Sequence, residues 1–118
     1  IVLHTKGDSM SNYCYITDVL SAILVLMHKG KAGEAYNVCN DEETRSIASI
    51  ANLVAHHVSH DRSKVIFDIP DDVSGLGYAP TVHMFLSSKK LKALGWEPKI
   101  SMEEAYIRLT AYIREECS

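Results

Sequence analysis

Hydrophobic and polar positions divide the chain into a run of short elements. Residues 1–5 (Ile-Val-Leu-His-Thr) and 13–16 (Tyr-Cys-Tyr-Ile) read as strands. The turn residues Lys6-Gly7-Asp8-Ser9 between them suggest a hairpin. Residues 19–27 are apolar apart from Ser21, which predicts a helix covered on most faces and central to the domain. Thr17 or Asp18 offers the capping oxygen at its start, and Lys29-Gly30 is a stop, with the glycine free to turn left-handed. Residues 35–39 (Ala-Tyr-Asn-Val-Cys) form a further strand, and 40–44 a polar loop.

A second helix opens at Ser46 as N-cap, with Ile47, Ile50, Ala51, Val54 and Val58 on its core face, and fades at 56–60. Residues 64–69 read as a strand stopped by Pro70, 71–80 as a loop, and 81–86 as either extended or irregular. Ser87 caps a short helix over 88–94 that ends at Gly95, and Trp96 folds back on the core. Ser101 and Glu104 form a capping box for a last helix whose apolar face is Ala105, Tyr106, Leu109, Tyr112 and Ile113. The expected fold is an α/β domain spanning 1–118, with short strands packed with three main helices. In it the second and last helices cover the central one.

At 118 residues and 47% hydrophobic, the chain is long enough to bury one core. A net charge of −3 with interspersed signs gives no footprint for nucleic acid. The longest apolar run, 22–27, is far short of a membrane span, and no signal peptide is visible, so a soluble cytoplasmic protein is expected. Cys14, Cys39 and Cys117 show no metal or redox spacing; the first two read as small buried hydrophobes. The chain opens on a strand with no initiator Met, which predicts a piece of a longer protein.

Candidate chemistry is sparse. The glycines of 75–80 lack the phosphate-cradling pattern, because Pro80 stands where a third small residue belongs. His56, His57 and His60 suggest a metal, but no zinc-hydrolase Glu accompanies them, and a solvated helix end is the better reading. No serine has a Gly-x-Ser-x-Gly context. None of the six tyrosines has a lysine four residues later, so the pair that tunes a tyrosine for proton transfer is missing.

Several motifs in order resemble a known family. Tyr13-Cys14-Tyr15-Ile16-Thr17-Asp18-Val19, Gly33-Glu34-Ala35-Tyr36-Asn37-Val38 and Lys90-Leu91-Lys92-Ala93-Leu94-Gly95-Trp96-Glu97-Pro98 resemble signatures of the NAD-dependent sugar-nucleotide epimerase/dehydratase family, the extended short-chain dehydrogenases. The likeness implies the C-terminal, nucleotide-sugar-binding portion, most like that of dTDP-glucose 4,6-dehydratases and UDP-glucuronate decarboxylases. It implies NAD for the parent enzyme but no cofactor or catalytic residue in this piece, which alone would be inactive. Implied partners are a UDP- or dTDP-linked sugar and the missing dinucleotide-binding half. Where the family carries phosphate-gripping arginines, this chain has Ser11 and, approximately, His83. Ser11, Tyr13 and His83 are therefore the substrate-contact candidates, with packing on the central helix as the rival role for Tyr13. Asp18 is read as a helix cap. The alternative function is a non-catalytic binding or assembly module derived from this family. Strands separated from their sheet also predict dimerisation through exposed edges.

Overall fold

The computed structural model describes residues 1–72 and 77–116. Strand β1 (Val2–Leu3) pairs in parallel with β4 (Ile66–Phe67). A second sheet has the order β3-β2-β5, with β2 (Met10–Asn12) antiparallel to β3 (Thr44–Ser46) and parallel to β5 (His83–Met84). The suggested hairpin does not form, because β1 and β2 belong to different sheets. The chain passes between them through Gly7 (φ +68°), whose carbonyl accepts from Ala48 N at 3.0 Å. A Cβ on Gly7 would stand 2.7 Å from that nitrogen, so only glycine allows the approach. Residues 13–15 lead directly into a helix, and the 75–80 loop lies partly outside the described residues.

Helix α1 (Ile16–Lys29) carries the first departure from the pattern-based expectation. Its N-cap is Tyr15, with no side-chain cap, and Asp18 falls within the first turn. The Asp18 carboxylate is instead taken by two amides across the fold, Lys99 N at 3.0 Å and Ile100 N at 2.9 Å. Trp96, 2% exposed, donates its indole N–H to Asp18 O and Ser21 Oγ at 3.1 and 2.9 Å. Ala22, Leu91 and Trp96 form the buried cluster, with Cys14, Val25, Leu26, Tyr36, Val38 and Leu94 packed around it. Gly30 ends the helix in extended backbone (φ −66°), not left-handed. It is needed for room, since a Cβ there would sit 2.5 Å from Leu26 O.

The second departure is larger. Only Asp18 and Ala22 of α1 are buried. Ile16, Leu20, Ile23, Leu24 and Met27 are exposed, Leu24 by 67% and Met27 by 80%. The expectation of a helix covered on most faces is wrong for these residues, because no described element packs over that side. The second and last helices do not cover α1; its inner face meets Leu91 and Trp96. Residues 35–39 are likewise no strand: they carry no ladder.

Helix α2 (Ile47–Leu53) is capped as expected, with Ser46 Oγ accepting from Ser49 N at 3.0 Å. It continues as a π-helical turn, Val54–Val58; the buried residues of the two are Ile50, Ala51, Leu53, Ala55 and Val58, and Ile47 is exposed. Helix α3 (Lys89–Lys92) is short, and Gly95 beyond it is left-handed at φ +93°. Helix α4 (Met102–Glu116) rests against the π turn, with no buried residue despite its apolar face. Ser101 Oγ accepts from Glu104 N at 3.2 Å, but the Glu104 carboxylate turns to Arg108, so only half of the capping box forms.

Candidate functional site

The candidate residues lie on and beside the three-stranded sheet. Ser11 is on its central strand, opposite Arg45 of β3 and Met84 of β5, while His83 stands opposite Met10. Side chains alternate along a strand, so Ser11 and His83 occupy adjoining strands but opposite faces. Asn12 fixes β5 beyond the end of the ladder. Its Oδ1 accepts from Leu86 N at 2.7 Å and its Nδ2 donates to Leu86 O at 3.0 Å, reproducing a strand pair with a side chain. Ser9 adds a bond at the other end, accepting from Val82 N at 3.2 Å. The His83 and Phe85 rings lie 6.3 Å apart on this fixed segment.

Tyr13 stands apart from both. It lines a groove of about 240 Å³ with Tyr15, Ile100, Met102, Tyr106 and Leu109, between the entry to α1 and the start of α4. The groove is apolar with tyrosine edges, and no charged side chain lines it. The structure thus brings Ser11 and His83 onto one sheet and sets Tyr13 in a separate groove.

Arg45 was missed by reading the sequence. Within Glu42-Glu43-Thr44-Arg45 it looks like one charge in a polar loop, and only strand pairing puts it beside Ser11 on the same face. Its Nε donates to Glu43 Oε2 at 2.8 Å. Glu43 is buried, so this bond fixes the guanidinium from behind and leaves its outer nitrogens without a partner among the described residues.

Most motif residues serve as scaffold. Lys90 ion-pairs with Glu34, donates to Ala35 O at 2.9 Å and lies 4.5 Å over the Tyr36 ring. Its hydrogen bond and charge hold the Glu34 carboxyl below the usual carboxylate range. Asp41 gathers Cys39 Sγ, Ser88 N and Ser88 Oγ on one oxygen at 2.9–3.1 Å, with Lys92 at 3.5 Å from the other. Partial burial opposes ionisation of Asp41, but these donors outweigh it and lower its pKa. Burial, followed by the charge of Asp18, raises the Cys14 thiol to about 11. Burial, followed by the bond to Asp41, does the same for Cys39. Both thiols are therefore held protonated at neutral pH, as befits packing residues. His56 is bound to Asp61 Oδ1 at 2.6 Å and His57 to Glu103 Oε1 at 3.2 Å. Among the described residues, no three His, Cys, Asp or Glu side chains are arranged for a metal ion.

No family model matches the chain. It is 30% identical over 115 residues to human dTDP-D-glucose 4,6-dehydratase, covering 96% of this chain and 32% of that protein. An Arabidopsis thaliana trifunctional UDP-glucose 4,6-dehydratase/UDP-4-keto-6-deoxy-D-glucose 3,5-epimerase/UDP-4-keto-L-rhamnose-reductase is 29% identical over 102 residues, 86% of this chain and 14% of that one. A UDP-glucose 4-epimerase from Thermotoga maritima, solved with UDP-glucose, superposes with a TM-score of 0.79 at 25% identity, over 100% of this chain and 36% of its own. A dTDP-glucose 4,6-dehydratase from Bacillus anthracis, in complex with NAD, shares the fold at a TM-score of 0.74 and 20% identity, over 97% and 34%.

Sequence and fold together give an α/β unit with the fold of the matching third of solved epimerases and dehydratases. The chain is similar, over nearly its whole length, to the C-terminal portion of sugar-nucleotide epimerases and dehydratases. It spans about a third of the length of human dTDP-D-glucose 4,6-dehydratase.

Proposed function

We propose that residues 1–118 form one domain, the nucleotide-sugar-binding part of an NAD-dependent epimerase or dehydratase acting on a UDP- or dTDP-linked sugar in the cytoplasm. The observation that carries this reading is the unbroken likeness, over the whole chain, to about a third of a UDP-glucose 4-epimerase solved with UDP-glucose. No helix among the described residues is long and apolar enough to cross a membrane, which agrees with that setting. The residues present do not fit NAD: the sequence has neither a phosphate-cradling glycine loop nor a Tyr-x-x-x-Lys pair. The cofactor, which supplies hydride transfer when bound, belongs to residues outside these 118.

Ser11, Tyr13 and His83 are the proposed substrate contacts. Ser11 has no charge, so the fixed positive charge on its face of the sheet comes from Arg45. With Nε held by Glu43, the two outer nitrogens are oriented to meet phosphate oxygens. His83 and Phe85 present imidazole and ring on the other face, and Tyr13 borders the tyrosine groove.

The test is a chimera in which this chain replaces the matching 115 residues of human dTDP-D-glucose 4,6-dehydratase. Calorimetric titration with UDP-glucose and dTDP-glucose is expected to show binding of one of them. Arg45→Ala weakens it at least about tenfold, the loss of one charged hydrogen bond. A folded chimera that binds neither sugar nucleotide contradicts the reading.

A further inference from the structure

The histidines at the end of α2 border a cleft of about 380 Å³, separate from the tyrosine groove. Its polar lining is Arg45, Ser49, Asn52, His56, His57 and Glu103. Positions 49, 52 and 56 follow helical spacing, so α2 and its π turn present them on one face. Arg45 comes from β3 and Glu103 from the first turn of α4, so the cleft is built by three parts of the chain. A lining of this kind suits a charged ligand with many hydrogen-bonding atoms.

The three cationic side chains are held in one way. Each is bound at a single nitrogen by a carboxylate. Glu43 takes Arg45 Nε at 2.8 Å, Asp61 takes His56 Nδ1 at 2.6 Å, and Glu103 takes His57 Nδ1 at 3.2 Å. The Asp61 carboxylate reaches His56 through two successive left-handed residues, His60 (φ 52°) and Asp61 (φ 59°). The two imidazole rings stand 4.9 Å apart at 89°. A carboxylate at Nδ1 places the proton on that nitrogen and favours the imidazolium, in which Nε2–H is a second donor. The ligand is left the outer edge of the guanidinium, two imidazole Nε2 atoms and the Ser49 hydroxyl. That set matches a phosphate dianion: a planar fork for two oxygens and single donors for the others. Glu103 also lines the cleft, with its Oε1 on His57. The volume falls in the range of small-molecule sites, so an organic group fits beside the anion.

We propose that this cleft binds the terminal phosphate of a small phosphomonoester, held by Arg45, His56 and His57 with Ser49 as a fourth donor. A diphosphate bridge esterified at both ends has no dianionic terminal group, so a sugar nucleotide does not fill the cleft. The sugar-nucleotide site proposed above draws on the same guanidinium. The phosphomonoester therefore competes with that substrate and acts as a brake on it. Only this competition rests on the functional reading.

The test is NMR of the histidine rings of the 118-residue chain at pH 6.5, titrated with glycerol 3-phosphate and with inorganic phosphate at constant ionic strength. The His56 and His57 signals are expected to shift and saturate, with those of His4 and His28 in place. The expected dissociation constant for glycerol 3-phosphate is about 1 mM, the strength of a few charged hydrogen bonds. Inorganic phosphate, with no organic group to bury, should bind at least about threefold more weakly. Arg45→Lys and His57→Gln, each checked for an unchanged unfolding midpoint, should weaken binding about tenfold. Equal shifts at all four rings, no saturation, or a folded His57→Gln chain that binds as before overturns the proposal. Equal affinity for inorganic phosphate overturns the assignment to an ester. In the chimera, glycerol 3-phosphate at ten times its dissociation constant should weaken sugar-nucleotide binding about tenfold. Ring shifts without that competition overturn the brake. A chimera that binds no sugar nucleotide sinks the functional reading, and the cleft then stands on the ring shifts alone.

Discussion

The two sides of helix α1 are built from similar residues and have opposite fates. On the inner side, Ala22 has no exposure, Trp96 closes over it, and Asp18 ties the helix to the backbone beyond Pro98. On the outer side, leucine, isoleucine and methionine stand in water. Burying each such side chain is worth about 1.5–3 kcal/mol, a stabilisation the inner face has and the outer face lacks. Composition does not separate the two sides. What separates them is the presence, within the same chain, of elements whose polar groups fit.

That contrast can be broken from the inner side first. Trp96→Ala removes the largest ring of the cluster and leaves the Asp18 carbonyl without its indole donor. A loss of about 3–5 kcal/mol is expected in urea unfolding, and a loss under 1 kcal/mol would mean the cluster is not the core. Asp18→Ala strips the acceptor from two amides at once, Lys99 and Ile100, and should cost about 2–3 kcal/mol. If Asp18 were only a helix cap, the cost would be nearer 1 kcal/mol.

Asp41 gives a smaller, pH-dependent effect. Its folded pKa is depressed, so its contribution is fully present above the unfolded carboxylate value of about 4 and is lost as pH falls through the lower folded value. The group is about a third exposed, so the effect is about 1 kcal/mol or less. Asp41→Asn should flatten the fall in urea midpoint between pH 5 and 3. The outer side supplies the smallest change: Leu24→Glu in the free chain should shift stability by no more than about 0.5 kcal/mol, the range for a surface site. A large loss there would show that the free chain buries this residue.

Local signals carried much of the fold. Ser46 as N-cap, Gly95 as a left-handed stop and Trp96 in the core follow from residue chemistry acting over a few positions, and the structure has all three. Features that need a distant partner escape the local pattern. Asp18 resembles a helix cap until Lys99 and Ile100, some eighty residues away, take its carboxylate. Residues 35–39 have strand character, but a ladder needs a second strand and none is described beside them. The apolar run of α1 announces burial without saying by what. For the site, the pattern left Ser11 between the 6–9 turn and the 13–16 strand and left 81–86, which holds His83, either extended or irregular; the pairing register that puts both in strands, on opposite faces, is a tertiary fact. The same register put Arg45 beside Ser11, and no spacing along the chain between residues 11 and 45 announces it.

The central claim is that this chain holds one part of a pocket divided between it and residues elsewhere. Titration of the free 118-residue chain with UDP-glucose and dTDP-glucose tests it most directly. Heats no larger than dilution, up to about millimolar ligand, are predicted, whereas a dissociation constant of about 1 µM or tighter would show a complete site within these residues and contradict the account.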